Sequence, residues 1–264
     1  MLRNIRNLMQ HILTILTLTF VISMAAGCRT TEAPTPAPVV VTRTASPIKI
    51  DGKLDDKAWN KALVYQFKRP LRMSPTRHRQ LGSNLHEKGS VRLLYDDSNL
   101  YVGFKFDDGD IIAFKDSDQK HHWKYGDMAE VFLKHRNKKC YYELYVTPHG
   151  RKTCWLIPAC GLVELTSNFP QKPMPGMKTA ARVDGTLNNI DSPDRSWSAE
   201  MKIPIAELEK EGGKFAPGTK GWTVLLTRHN YGKSIPAREP STVPLFPDMH
   251  YHEPEQYAPL IIEP

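Results

Sequence analysis

Downstream of residue 90 the chain is dominated by short runs in which apolar and polar residues alternate, separated by turn residues. Val91–Tyr95 and Leu100–Phe106, joined by Asp96-Asp97-Ser98-Asn99, predict a β-hairpin. A second hairpin is predicted within Trp123–Pro148, where MAEVFL and CYYELYV flank the polar, basic stretch HRNKK. Ser196–Ile203 alternates as a half-buried strand should, and Lys178–Asp184, Gly221–Arg228 and Tyr257–Ile262 read as further strands.

Upstream, Pro47–Gly52 reads as a short strand ending in a turn. In the following helical turn, Asp55 or Asp56 is the N-cap and Trp59 folds inward. Val64–Phe67 predicts a brief strand, Pro70–Gly89 a long basic loop and Pro158–Gly176 a Pro/Gly-rich loop. Pro204–Leu208 fits a short helix with proline in its first turn. Many short strands and few helices imply an all-β fold, an antiparallel β-sandwich of the jelly-roll or immunoglobulin-like kind.

The first residues follow a different pattern. Arg3 and Arg6 precede a charge-free apolar run, Ile12–Ala26, too short for a comfortable membrane span. It ends in Ala25-Ala26-Gly27-Cys28, which resembles a bacterial lipoprotein signal whose Cys28 becomes the lipidated first residue. Residues 1–27 are thus expected to be a signal peptide, with Arg29 allowing an outer-membrane destination. Residues 28–45, rich in Pro, Thr and Ala, are expected to be a tether, and residues 46–264 the folded domain.

The whole chain carries a formal net charge of +8, with basic residues concentrated in Lys68–Arg92 and Lys134–Lys139. A charge run is usually a solvated face, but this excess also suits an anionic glycan. Export argues against nucleic acid. Beyond Cys28, the odd set Cys140, Cys154 and Cys160 permits one internal pair, and Cys140 with Cys154 flank the turn at Thr147–Gly150. No CxxC or HxxxH spacing suggests a metal held by these thiols.

Candidate chemistry gathers on the second hairpin. Trp123 with Asp127, Glu130 and Glu143 places a flat aromatic beside carboxylates, a combination suited to a sugar with one apolar face and hydroxyl donors. Asp127 and Glu130, three apart on a strand, would face opposite sides, which argues against a paired-carboxylate hydrolase site. Neither GxSxG nor HExxH is present. Asp107, Asp108 and Asp110 form an acidic cluster after a strand, of the kind that supplies oxygen ligands to calcium. The competing classes are a glycan-active hydrolase and a haem-binding sandwich ligated through residues such as His229 or Met249.

Taken together, IKIDGKLDDKAW, LLYDDSNLYVGFKFDD, WKYGDMAEVFL with YYELYVTPHG, WSAEMKIPIAEL and HEPEQYAPLII resemble the family 9 carbohydrate-binding modules. The resemblance implies a jelly-roll-like sandwich, non-catalytic sugar binding between stacked aromatics and, in some members, structural calcium. Trp123 stands seven positions before Glu130, one more than the motif's spacing, and Val243 occupies about the place of a second tryptophan. Tyr251, Trp155 and Tyr125 are the candidates to replace it.

Overall fold

The computed structural model describes residues 36–162 and 173–264, which form twelve strands, two short α-helices and three 3-10 turns. One sheet runs in the order β2 (Tyr65–Gln66), β3 (Gly89–Tyr95), β4 (Asn99–Asp107), β9 (Ser196–Pro204), β8 (Lys178–Asp184). The other runs β7 (Lys152–Ile157), β6 (Tyr141–Val146), β5 (Met128–His135), β10 (Trp222–Asn230), with β11 (Glu239–Val243) and β12 (Ala258–Ile262) both paired to β10. Alternation dictates the layering. Val91, Leu93, Val102, Phe104, Phe106, Trp197 and Met201 of the first sheet meet Val131, Leu133, Leu144, Val224 and Leu226 of the second in one core. The domain is an all-β sandwich.

Both predicted hairpins form, β3 with β4 and β5 with β6. Part of the stretch expected to be a tether, by contrast, is folded. Val39–Arg43 is a strand, β1, whose Val39–Val41 pair in parallel with β12 while Thr42 and Arg43 pair in parallel with β3. Val39 and Val41 are buried in the core. A Pro/Thr context concealed three consecutive β-branched valines, which are strong strand formers.

Three other expectations are corrected. The stretch Pro70–Gly89 contains a helix, α1 (Pro75–Leu81), capped by Ser74, whose hydroxyl accepts the Arg77 N–H. Residues 47–50 belong to no strand. The buried Glu200 instead holds the next turn, accepting the N–H groups of Asp51 (2.9 Å) and Gly52 (2.8 Å) and the Trp59 indole (2.9 Å). Gly52 has φ +84°, and a Cβ there would lie 2.5 Å from the Ala181 carbonyl carbon. Finally, Cys140, Cys154 and Cys160 are all free. Register explains this: Cys154 lies opposite Leu144 and faces the core, whereas Cys140 precedes the Tyr141–Ile157 pair. The helix expected after Pro204 is α2 (Ile205–Glu211).

Candidate functional site

The outer face of the second sheet is the most chemically unusual part of the domain. Such a face should be polar and wet, yet Met128, Phe132, Tyr141, Tyr145, Trp155, Ile157 and Leu225 form a second buried cluster there. The cover comes from the chain between β11 and β12, which brings Phe246, Tyr251 and Tyr257 over Phe132 and one another, with Trp123 packed at the margin.

Period-two alternation on β5, β6 and β10 puts Glu130, Glu143, Thr227 and His229 on this same face. Glu130 lies opposite Tyr145 on one side and Thr227 on the other, and Glu143 lies opposite Phe132 and Trp155. The Thr227 hydroxyl donates to Glu130 Oε2, and His229 Nε2 stands 3.3 Å from the same oxygen but out of line for a hydrogen bond. The Tyr145 hydroxyl donates to Glu143. Tyr141 and His252 Nδ1 are 2.9 Å apart.

The two carboxylates are driven in opposite directions. Burial first, then repulsion from Glu130, pushes Glu143 up to about 8. Burial also works against ionised Glu130, but His229 and the Thr227 hydroxyl outweigh it and the net direction is down. Because the folded state keeps the Glu143 proton that the unfolded chain releases near pH 4.5, stability falls as pH rises from about 4.5 to 8. Glu143→Gln should remove that slope and gain on the order of a few kcal/mol over wild type at pH 9. Urea unfolding at pH 5 and pH 9 checks it. Parallel pH dependence in the two proteins would refute the assignment.

Four buried polar atoms over and around this face have no hydrogen-bond partner among the described residues: His229 Nε2, Tyr251 Oη, Trp155 Nε1 and His122 Nε2. Such groups cost free energy unless something outside the protein satisfies them. His121 stacks on the Trp155 ring at 4.5 Å, and burial pushes His122 down to about 4. Trp123 is half-buried, with Lys124 Nζ 5.1 Å and the Arg238 guanidinium 5.8 Å from its ring. Arg238 Nη1 is 3.3 Å from His229 Nδ1, so Trp123, Arg238, His229 and Glu130 form one continuous corner.

Of the residues nominated from sequence, Trp123 and Glu130 belong to this corner, and Glu143 lies on the same face one strand further out. Asp127 does not join them. Its carboxylate is buried away from the face, accepting the N–H groups of Ile112 and Tyr231, each at 2.7 Å. Sequence reading missed the Thr227 hydroxyl and Arg238. Thr227 and His229 alternate with the inward Leu226 and Arg228, a signal for a shared face but not for which strand lies beside it.

The acids expected to hold calcium do not converge. Asp108 is buried against Arg228 (2.9 Å) and the Trp197 indole (3.1 Å), Asp110 accepts the Lys233 N–H, and Asp107 is exposed. No group of three or more His, Cys, Asp or Glu side chains suited to a metal occurs among the described residues. These residues do not fit a calcium site. Val243, at the place of the second tryptophan, faces the core. Of its candidate substitutes, Tyr251 and Trp155 lie on the outer face, while Tyr125 sits outside it under Lys115.

Residues 50–152, from the turn held by Glu200 through the β5–β6 hairpin to the start of β7, match the carbohydrate family 9 binding domain-like family. That stretch of the chain is family 9-like. A proposed carbohydrate-binding protein from Bacteroides uniformis ATCC 8492 superposes with a TM-score of 0.63 at 13% identity, over 86% of this chain and 100% of the other. A family 9 carbohydrate-binding module from Caldicellulosiruptor kristjanssonii in complex with cellotriose gives 0.54 at 16% identity, over 86% and 93%. The glucose complex from that organism gives 0.54 at 16%, over 86% and 95%. At this identity the likeness is one of fold. No curated protein matches the chain in sequence.

Proposed function

We propose that this family 9-like domain binds carbohydrate, without cleaving it, at the corner formed by Trp123, His229 and Glu130. The observation that carries the reading is the half-buried Trp123 indole beside buried polar atoms without a hydrogen-bond partner, Tyr251 Oη among them. A pyranose offers a C–H face for the ring and hydroxyls for the open donors and acceptors. Stacking would exchange the exposed Lys124 ammonium, now over Trp123, for the sugar. The bound glucose and cellotriose of the two structural relatives add support from the same fold.

The way the acids are held supports binding rather than hydrolysis. Glu130 is committed to Thr227 and His229, and Glu143 is tied to Tyr145 under an aromatic cover. Neither is free to protonate a leaving group or activate water.

Trp123→Ala tests the reading. Glycan-array screening of the domain, then calorimetric titration of its strongest ligand, should show affinity reduced by about 1–3 kcal/mol with little change in Tm. Undiminished affinity, or a large fall in Tm, would move Trp123 from the site into the core.

A further inference from the structure

The corner beside Trp123 holds more positive charge than its surroundings neutralise. Arg77 reaches it from α1, where its Nη1 donates to the Arg238 carbonyl at 3.1 Å. Both side chains are partly buried, and neither has a carboxylate within ion-pair distance among the described residues. The neighbouring acids are spent elsewhere. Glu239, next to Arg238 in sequence, turns to the other side of β11 and is consumed by Arg69 and His86. Asp248, on the segment covering the face, stands 3.9 Å from Arg72 and 3.6 Å from His250. Glu130 meets Arg238 only through the intervening His229.

With Arg77 Nη1 on the Arg238 carbonyl, two partly buried positive side chains share this corner. Burial, and then the charge of Arg238, bring Arg77 below the usual arginine range. Charged groups removed from water are ordinarily paired. Here the described residues supply no anion, while Tyr251 and Tyr231 offer only hydroxyls nearby. A guanidinium left without a carboxylate suits an external anion, since its planar fork matches a carboxylate or an oxyanion ester.

We infer that the sugar bound at Trp123 is acidic, and that Arg77 and Arg238 together hold its uronate carboxylate or sulfate ester. This rests on the carbohydrate reading above and specifies its ligand class. The ring of the acidic residue would lie against Trp123, with its anionic substituent directed toward the two guanidiniums. Lys124 adds a third positive charge at the mouth of the corner.

A glycan array holding uronate-bearing, sulfated and neutral oligosaccharides, read with the full folded chain, provides the test. The strongest ligands should be acidic. Carboxyl reduction or desulfation of the best of them should weaken binding about tenfold or more, and raising NaCl should weaken the acidic form selectively. Sensitivity to reduction identifies a uronate, and sensitivity to desulfation a sulfate ester. In Arg238→Gln, and separately in Arg77→Gln, the ratio of acidic to neutralised affinity should fall toward one, with Tm reporting that each variant is folded. Equal binding of neutral glycans, or an unchanged ratio in both variants, overturns the acidic assignment while Trp123-dependent binding leaves the carbohydrate reading standing. Binding of no glycan of any class removes both.

Discussion

Arg228→Ala is expected to destabilise the domain by about 3–5 kcal/mol, the usual cost of leaving one member of a buried ion pair alone. Arg228 is 1% exposed and projects from β10 between the sheets. Its Nη2 reaches Asp108 at 2.9 Å, the Asp107 carbonyl at 3.0 Å and Asn230 Oδ1 at 2.8 Å, while its guanidinium lies 4.6 Å from the Phe106 ring centre. It therefore ties the second sheet to the end of β4 in the first. Truncation leaves a cavity over Phe106 and a buried Asp108, which burial already pushes up to about 6 against the pull of Arg228. Combining Arg228→Met with Asp108→Asn should recover most of the loss, because the pair is then replaced by neutral groups of similar volume. Urea unfolding of the single and double variants decides this. A loss below about 1 kcal/mol for Arg228→Ala would show that the strap is incidental.

Shortening the chain to begin at Ser46 should be more damaging than shortening it to begin at Pro36. The intervening residues hold β1, whose Val39 and Val41 are buried at 1% and 0% exposure. Burial of each valine contributes about 1.5–3 kcal/mol. Their removal also bares the edges of β12 and β3, which β1 joins, and exposed edges recruit other chains. The chain starting at Pro36 should unfold cooperatively and stay monomeric. That starting at Ser46 should lose several kcal/mol and associate. Light scattering and thermal unfolding of the pair distinguish them. Equal Tm values would mean that β1 is dispensable.

The placement of β1 illustrates how far a linear reading reaches. Alternation and turn chemistry are local, so the β3–β4 and β5–β6 hairpins, β9 and the strand opening at Trp222 were legible in advance. The same alternation put Glu130 and Glu143 on a strand face and separated Asp127 from Glu130. It did not reveal which face would be covered. A strand with apolar residues on both sides, such as the tyrosine-rich β6, fits any buried position. The second aromatic layer over it is supplied by Phe246, Tyr251 and Tyr257, about a hundred residues away.

The rest of the site was decided by long-range pairing. Glu130 meets Thr227 because β5 and β10 align in antiparallel register, and a slip of one residue would have turned His229 toward the core. Arg77 and Arg238 come from a helix that sequence read as loop and from the approach to an unpredicted strand. By itself the sequence determined an all-β chain, its hairpins and a group of site candidates on one of them. The tertiary structure decided that β1 joins both sheets, that Asp108 serves Arg228 rather than a metal, and that Arg238, with Arg77 on its backbone carbonyl, stands beside Trp123 without a carboxylate partner. The reason is physical: strand patterning depends on neighbours two residues apart, whereas burial and charge pairing depend on which distant strands exclude water together.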